Sequence, residues 1–355
     1  MSSPVVARLM LPDDANLAGN VHGGTILQLM EQAGMISATR HFNAPTSGDI
    51  KGAYEGKQYA GLARIETMSF HQPMYVGDIS SLRTELLFTS ERSALVKVIV
   101  TAENAITSST RITNTGSLWY LSFVPQGKHE PYLVVPVPQV LPPAADDTRA
   151  LADYHMAQKM YNSRKHTSNE DSTTCLEMEG CLCPNCRKDY QAPTSDHAKS
   201  PAESEQVLSQ MVLPGDCGQS KIAFGGFVMK LMDTAAGCTA FRHARSNVVT
   251  VSISPMDFVS TIHLGDIVTI RARMAFGSAK SMEILVSAHV TSLARQDHLV
   301  ATGTFSFVAL DEKHKVKGVP ALKYTSEEEF TRAFESQTRY MTAKKERLAK
   351  KRNVP

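Results

Sequence analysis

Two carboxylates stand where carboxylates are scarce. Glu31 follows Leu29-Met30 and Asp233 follows Leu231-Met232, each in a stretch rich in Leu, Met and Ala. Each lies seven residues after the second glycine of a Gly-Gly pair, Gly23-Gly24 and Gly225-Gly226. Desolvation penalises a carboxylate in an apolar helix, so it needs a partner or a task. An acid on a narrow solvent stripe is the plainer reading, and the same spacing in both places argues against it. The glycine pairs supply a second ingredient. At the start of a helix the backbone N–H groups point outward unpaired, and they can bind a carbonyl oxygen and the negative charge that develops on it. The third ingredient is unequal: Asn20-Val21-His22 precede the first pair, Ile222-Ala223-Phe224 the second. Asn20 and His22 can hydrogen-bond a substrate or a water, whereas Ile222 and Phe224 cannot. Taken singly, the glycines read as packing or turn residues, Asn20 as a turn residue near a helix cap and His22 as a loop histidine.

At about 1.5 Å per residue, a helical acid seven residues in lies roughly 10 Å from its own Gly-Gly turn. That is too far for Asn20 and Glu31 to share one water. A working pair is therefore expected to cross between two helices. Two composite sites follow: Asn20 with Asp233, and Glu31 with Ile222 and Phe224. Only the first combines a carboxylate with a polar orienting group, so one working site and one degenerate site are expected.

The elements that must position these residues come in duplicate. Leu11-Pro12-Asp13-Asp14 answers to Leu213-Pro214-Gly215-Asp216, and Arg40-His41 to Arg242-His243, at an offset of 202. Further on the offset drops to 188: Phe70 matches Phe258, Gly77-Asp78 matches Gly265-Asp266 and Ser93 matches Ser281. The drop places 14 extra residues in the first copy, within Asn43–Ala60. Two copies of about 100 residues are a duplicated domain, too long and too few for a solenoid, and expected to pack about a pseudo-twofold axis. In each copy a Pro-free apolar segment, Thr25–Arg40 or Phe227–Arg242, fits a helix buried on most sides. Runs rich in Val, Ile, Thr and Phe follow: Ile79–Thr89, Ala94–Ala102 and Thr113–Phe123, then Ile267–Phe276, Met282–Val290 and Val300–Ala309. These predict antiparallel strands. One buried helix wrapped by a sheet is an α+β arrangement. Each copy ends in a Pro-containing extended piece and a charged helix, about 146–164 and 327–352. Ser326 and Glu329 predict a capping box on the last helix. Its basic end, Lys344–Lys351, reads as a solvated terminus, and Arg40 and Arg242 as answering the dipoles of their own helices.

Composition narrows the class. Of 355 residues, 42% are apolar and 20% charged, which is ordinary for a folded chain. A net charge of +2 argues against a protein built to neutralise nucleic-acid phosphates. There is no apolar run long enough to span a membrane and no secretory leader pattern in MSSPVVARLM. Six cysteines in such a chain suggest thiols in a reducing compartment. Four of them, Cys175, Cys181, Cys183 and Cys186, fall in the polar connector Arg164–Glu205, which is expected to have little fixed structure. A zinc site is weighed against free thiols there, and free thiols are the expectation, because a C-x-x-C knuckle usually has a second one further along. Cys217 and Cys238 are expected to be packed.

The run Pro12-Asp13-Asp14-Ala15-Asn16 with Gly19-Asn20-Val21-His22-Gly23-Gly24 resembles the first half of the cytosolic, brain-type acyl-CoA thioesterases, which are tandem hotdog proteins. Gly225-Gly226-Phe227-Val228-Met229-Lys230-Leu231-Met232-Asp233 resembles their second half, and Leu118-Trp119-Tyr120 also fits. The resemblance implies hotdog domains at 8–125 and 207–310. A helix and connector at 126–206 would separate them, and a tail at 311–355 would follow. It implies hydrolysis of long-chain fatty acyl-CoA to fatty acid and CoA in the cytosol. Asn20 and Asp233 would be catalytic, with Gly23, Gly24 and His22 at the thioester carbonyl, and no metal or cofactor needed. Whether Asp233 acts as general base or nucleophile stays open. Arg92 and Lys280, at matching places in two hairpin turns, would meet the CoA phosphates, unless they are only turn residues. Three chains, six hotdog units, are expected to associate, with no nucleic-acid partner. A hotdog dehydratase using His22, and a non-catalytic acyl-CoA sensor, are the alternatives; the pairing of Asn20 with Asp233 favours hydrolysis.

Overall fold

The computed structural model describes residues 5–16, 19–44, 56–125, 132–164, 181–195, 197–293 and 296–352. The first unit runs β1 (Val5–Leu9), α1 (Gly23–Phe42), β2 (Tyr59–Ile65), β3 (Met68–Phe70), β4 (Asp78–Thr89), β5 (Ser93–Asn104), β6 (Thr110–Val124) and β7 (Leu133–Val134), then α2 (Thr148–Arg164). The second repeats it as β8 (Gln206–Met211), α3 (Gly225–Ala244), β9 (Asn247–Ile253), β10 (Met256–Asp257), β11 (Ile267–Gly277), β12 (Ser281–Thr291), β13 (His298–Leu310) and β14 (Val316–Lys317), then α4 (Glu327–Arg352). β1 begins three residues before the expected boundary at 8, because the repeat at offset 202 carries no marker upstream of Leu11. The 14-residue excess of the first copy falls largely on 45–55, outside the described residues.

Each sheet is antiparallel and curls around one helix, the hotdog arrangement. α1 buries Ile26, Leu27, Leu29, Met30, Ala33 and Ala38, and α3 buries Phe227, Val228, Leu231, Met232, Ala235 and Ala236. Small and apolar side chains nearly all round let each helix lie between its own sheet and the other helix.

The two units join twice, and both joints obey the pseudo-twofold axis. In the sheet, β3 pairs with β9 through Met68↔Ile253, and β10 pairs with β2 through Met256↔Ile65. These are one contact repeated, since both residues shift by 188. The result is a single 14-stranded sheet. Between the helices, a Cβ on Gly24 would stand 2.9 Å from the Lys230 Cα, and one on Gly226 2.8 Å from the Gln28 Cα. Only glycine lets the backbones approach this closely. Here too the two contacts are copies, at offset 202.

The charged helices cover the outer sheet faces. On the first unit, Tyr154 and Tyr161 of α2 pack against Phe88, and Tyr161 also meets Trp119, whose indole N–H donates to Glu66 at 2.9 Å. On the second, Tyr340 of α4 packs against Phe276. The capping box forms: Glu329 N–H donates to Ser326 Oγ at 3.2 Å, and Ser326 N–H to Glu329 Oε2 at 3.3 Å.

The described part of the connector departs from expectation. Cys181, Leu182 and Cys183 are buried and join the main core, so residues 181–190 have fixed structure. Their polar neighbours hid three apolar contact points. Cys175 and the stretch 165–180 lie outside the described residues. Arg242 stands in the last turn of α3, as expected for a cation that favours the helix dipole, but its guanidinium donates to the Glu205 carbonyl, while Lys199 Nζ donates to the carbonyls of Arg242 and His243 at 2.8 Å. The connector's lysine joins it and satisfies the terminal carbonyls, because the chain folds back onto that helix end.

Candidate active site

The loop before α1 is held at several points. His22 N–H donates to the Asp14 carbonyl and Val21 N–H to Met74, both at 2.7 Å, and Asn20 forms a bridge with Tyr75. Gly19 turns in the left-handed region at φ +80°, where glycine carries no Cβ penalty. Its counterpart, Lys221, holds φ 61° with a side chain attached. This turn leads into α1 with Asn20 in the lining of a cavity. The Asn20 side-chain amide has no hydrogen-bond partner among the described residues.

Asp233 comes from the middle of α3 and is 1% exposed. Its Oδ2 accepts from Gly24 N–H of the opposite unit at 2.7 Å, and its Oδ1 from the Thr250 hydroxyl at 2.8 Å. The α1 N-terminus therefore faces a carboxylate across the pseudo-twofold axis, as the helix dipole favours. His22 Nδ1 lies 3.3 Å from Asp233 Oδ2 and 3.0 Å from Gly24 N. A proton on Nδ1 would be donated to the carboxylate; a bare Nδ1 accepts from Gly24. Gly23 N–H meets no acceptor among the described residues. A Cβ at Gly23 would fall 2.9 Å from Asp233 Oδ2, so only glycine leaves room for the carboxylate.

Asn20, His22, Gly23 and Asp233 line one cavity of about 1160 Å³. Its walls include Phe70, Val249, Phe307 and Leu310, with Tyr75 and Arg242 among its polar lining. Cys238, expected to be packed, is exposed and lines this cavity, because the face of α3 it occupies turns away from the sheet. Arg92 and Lys280 stand in the β4–β5 and β11–β12 turns. Both turns are built alike by paired serines, Ser90 with Ser93 and Ser278 with Ser281. Neither cation lines the cavity.

The pseudo-symmetric partner of this site is built differently. Glu31 is 2% exposed, and its Oε2 meets no hydrogen-bond partner. It keeps one bond, from Gly226 N–H, and burial pushes its carboxyl up to about 8. Where Thr250 serves Asp233, the equivalent residue at offset 188 is Leu62, which packs directly over Gly225. Ile222 and Phe224 stand where Asn20 and His22 stand in the open site.

Thr250 was not anticipated. The signal was present: carrying the second offset through β2 and β9 would have set a threonine against a leucine, the same polar-for-apolar exchange that singled out Asn20.

The profile of the thioesterase superfamily matches residues 18–108 and 220–293, one segment in each unit. The chain is 34% identical to the cytosolic acyl coenzyme A thioester hydrolase of Homo sapiens over 97% of this chain and 84% of that one. It is also 34% identical to an uncharacterized acyl-CoA thioester hydrolase of Bacillus subtilis, over 36% of this chain and 74% of that protein. A solved acyl-CoA hydrolase from Staphylococcus aureus, in complex with butyryl coenzyme A and coenzyme A, is 31% identical. It covers 44% of this chain and 95% of its own, with a TM-score of 0.41.

Proposed function

The chain belongs to the cytosolic acyl coenzyme A thioester hydrolases, and from that premise we propose that it hydrolyses long-chain fatty acyl-CoA at one composite site shared by its two halves. The observation that carries this is the 2.7 Å bond between Gly24 N–H of one unit and Asp233 of the other, in the cavity that Asn20 lines.

Asp233 is the general base and Asn20 orients the attacking water. A carboxylate that is 1% exposed is reached by a water more readily than by a thioester carbon, which favours base over nucleophile. The Gly24 and Thr250 bonds occupy one lone pair on each oxygen and fix the carboxylate's orientation. Gly23 N–H, at the positive end of α1, receives the carbonyl oxygen as it gains charge. Gly24 N–H is already engaged by Asp233, so it acts through the base. His22 sits beside the carboxylate, with Nδ1 3.3 Å from Asp233 Oδ2, and limits the positions that Asp233 can take. Asp233 takes one proton from the water as the hydroxide adds to the carbonyl carbon; the C–S bond then breaks, and the proton on Asp233 passes to the leaving thiolate, which gives CoA thiol and fatty acid and returns the carboxylate. Such a reaction uses no cofactor.

A cavity above the range of about 300–1,000 Å³ for ordinary small-molecule sites suits a ligand with both a CoA head and an acyl chain. Phe70, Phe307 and Leu310 supply the apolar wall, and Arg242 a cation. Arg92 and Lys280 would meet CoA phosphates only where the nucleotide runs beyond this lining or onto a neighbouring chain. Association of three chains is part of the proposal. Leu9 and Leu11 on one rim, and Met211 and Leu213 at the matching places on the other, are about half exposed, which leaves paired apolar strips to cover. No helix among the described residues is long and apolar enough to cross a membrane, and the cytosol is the proposed compartment.

Single-turnover hydrolysis of palmitoyl-CoA in ¹⁸O-water tests the mechanism. General-base attack places the label in the released fatty acid and none in Asp233. Label in the Asp233 carboxylate would make it the nucleophile. Failure to release any thiol from palmitoyl-CoA would remove the long-chain assignment.

A further inference from the structure

Outside the cavity lies a second group of side chains with chemistry to offer. The sulfurs of Cys181, Cys183 and Cys186 lie within 4.8 Å of one another. Cys181 and Cys183 are buried and Cys186 half-buried, and none forms a disulfide among the described residues. Cys183-Pro184-Asn185-Cys186 is a tight turn: Cys186 N–H donates to Cys183 Sγ at 3.4 Å, and Arg187 N–H to the Cys183 carbonyl at 3.0 Å. Backbone N–H groups directed at a cysteine sulfur favour the thiolate, the form that binds metal. Nothing in the proposed hydrolysis uses these thiols.

We propose that Cys181, Cys183 and Cys186 bind one zinc ion that fixes the turn by which the connector packs against α4. Zinc–sulfur bonds of about 2.3 Å set tetrahedral sulfurs about 3.8 Å apart. The present spacing needs closure by no more than about 1 Å, within reach of cysteine rotamers. Soft thiolates in a tetrahedral bite select zinc over magnesium or calcium. Each thiol releases its proton to solvent as its sulfur binds, and no oxidant or reductant is involved. The fourth coordination place is left to a donor outside this group.

The residues around the cysteines already anchor this turn to its neighbours. Leu182 N–H donates to Gln337 Oε1 of α4 at 2.9 Å, with both residues buried. Arg187 pairs with Glu327 at the start of α4. Tyr190 packs edge-on against Phe330 and donates its hydroxyl to the Leu322 carbonyl at 3.3 Å. The cysteine turn thus sits where the connector meets the C-terminal extended piece and α4, and an ion that fixes the turn would hold Leu182, Arg187 and Tyr190 in place for these contacts.

The test uses the untagged full-length protein, purified in reducing buffer without chelator. Elemental analysis is expected to give one zinc per chain. After zinc removal, cobalt(II) is expected to produce thiolate-to-metal charge-transfer absorption that zinc then abolishes. Cys183→Ser should remove that absorption; Cys217→Ser and Cys238→Ser should leave it. Wild-type protein that holds no zinc after equilibration and shows no sulfur–cobalt absorption overturns the proposal, and so does full zinc retention by the triple serine variant at 181, 183 and 186. A disulfide among these thiols in freshly purified metal-free protein also overturns it. Should a serine variant fail to fold, the wild-type zinc content and cobalt spectrum still decide.

Discussion

Glu31 and Asp233 are the same residue position in two copies of one fold, yet their surroundings differ. Asp233 has two donors and an open cavity; Glu31 has one donor and a leucine where the threonine would be. The difference predicts a pH signature. Glu31 titrates near 8 in the folded chain and in the ordinary carboxylate range when unfolded. The folded state therefore holds this proton more tightly. Its contribution to stability is full at pH below the ordinary range and is lost as pH rises toward about 8. Glu31→Gln removes the loss. Its advantage over wild type should be near zero at pH 4.5 and grow to about 3–5 kcal/mol by pH 8.5, read from urea unfolding. A gap that does not change with pH contradicts this reading. Thr250→Val deletes one donor to a buried carboxylate without changing side-chain shape. A hydrogen bond to a charged group contributes about 1.5–3 kcal/mol, so kcat should fall about 10- to 100-fold with KM little changed, and Thr250→Ser should restore most of it. Most of the site could be read from the chain. The acids, the glycines and the Asn20/Ile222 exchange all fell on one offset. Thr250 did not, because it lies beyond the insertion, where the register changes.

The two central helices meet at glycines, so their crossing tolerates no added methyl group. Gly24→Ala and Gly226→Ala each place a Cβ under 3.0 Å from a backbone Cα of the partner helix. Overpacking of this kind typically costs about 1–3 kcal/mol, and both variants should lose a comparable amount by thermal or urea unfolding. Only Gly24→Ala should also depress turnover beyond its stability loss, since Gly24 N–H holds Asp233. Equal loss of activity in the two variants contradicts the asymmetry of the sites. The helices and the long strands β4, β5, β6, β11, β12 and β13 were legible because their apolar runs are long and uninterrupted. β3 and β10 have three and two residues, too short for any periodicity to show. They are nonetheless the strands that join the two units, since what defines them is pairing with the other copy. β2 and β9 have seven residues each and are mostly half-buried; β2 includes a glycine and an arginine that break its apolar run, whereas β9 is rich in Val and Thr and carries a strand signal that the expected elements omit.

At the scale of the molecule, the proposed reading is that duplication lets one site keep its chemistry while the other loses it. A homodimer of identical units would carry two equal sites; two linked units can diverge, and here Leu62, Ile222 and Phe224 stand at the positions that Thr250, Asn20 and His22 hold in the other. The same linkage gives the chain a connector, whose buried cysteines sit against α4 rather than at the cavity. The central claim is that hydrolysis requires an amide from the first half and a carboxylate from the second. Release of CoA thiol from palmitoyl-CoA tests it in a single comparison of folded variants. Asp233→Asn keeps the packing and the Gly24 bond but removes the base, so kcat should fall about 10²- to 10⁴-fold. Asn20→Ala should lose most turnover as well, while Glu31→Gln should stay within about twofold of wild type. Near-normal turnover by Asp233→Asn, with loss of turnover in Glu31→Gln, would contradict the account.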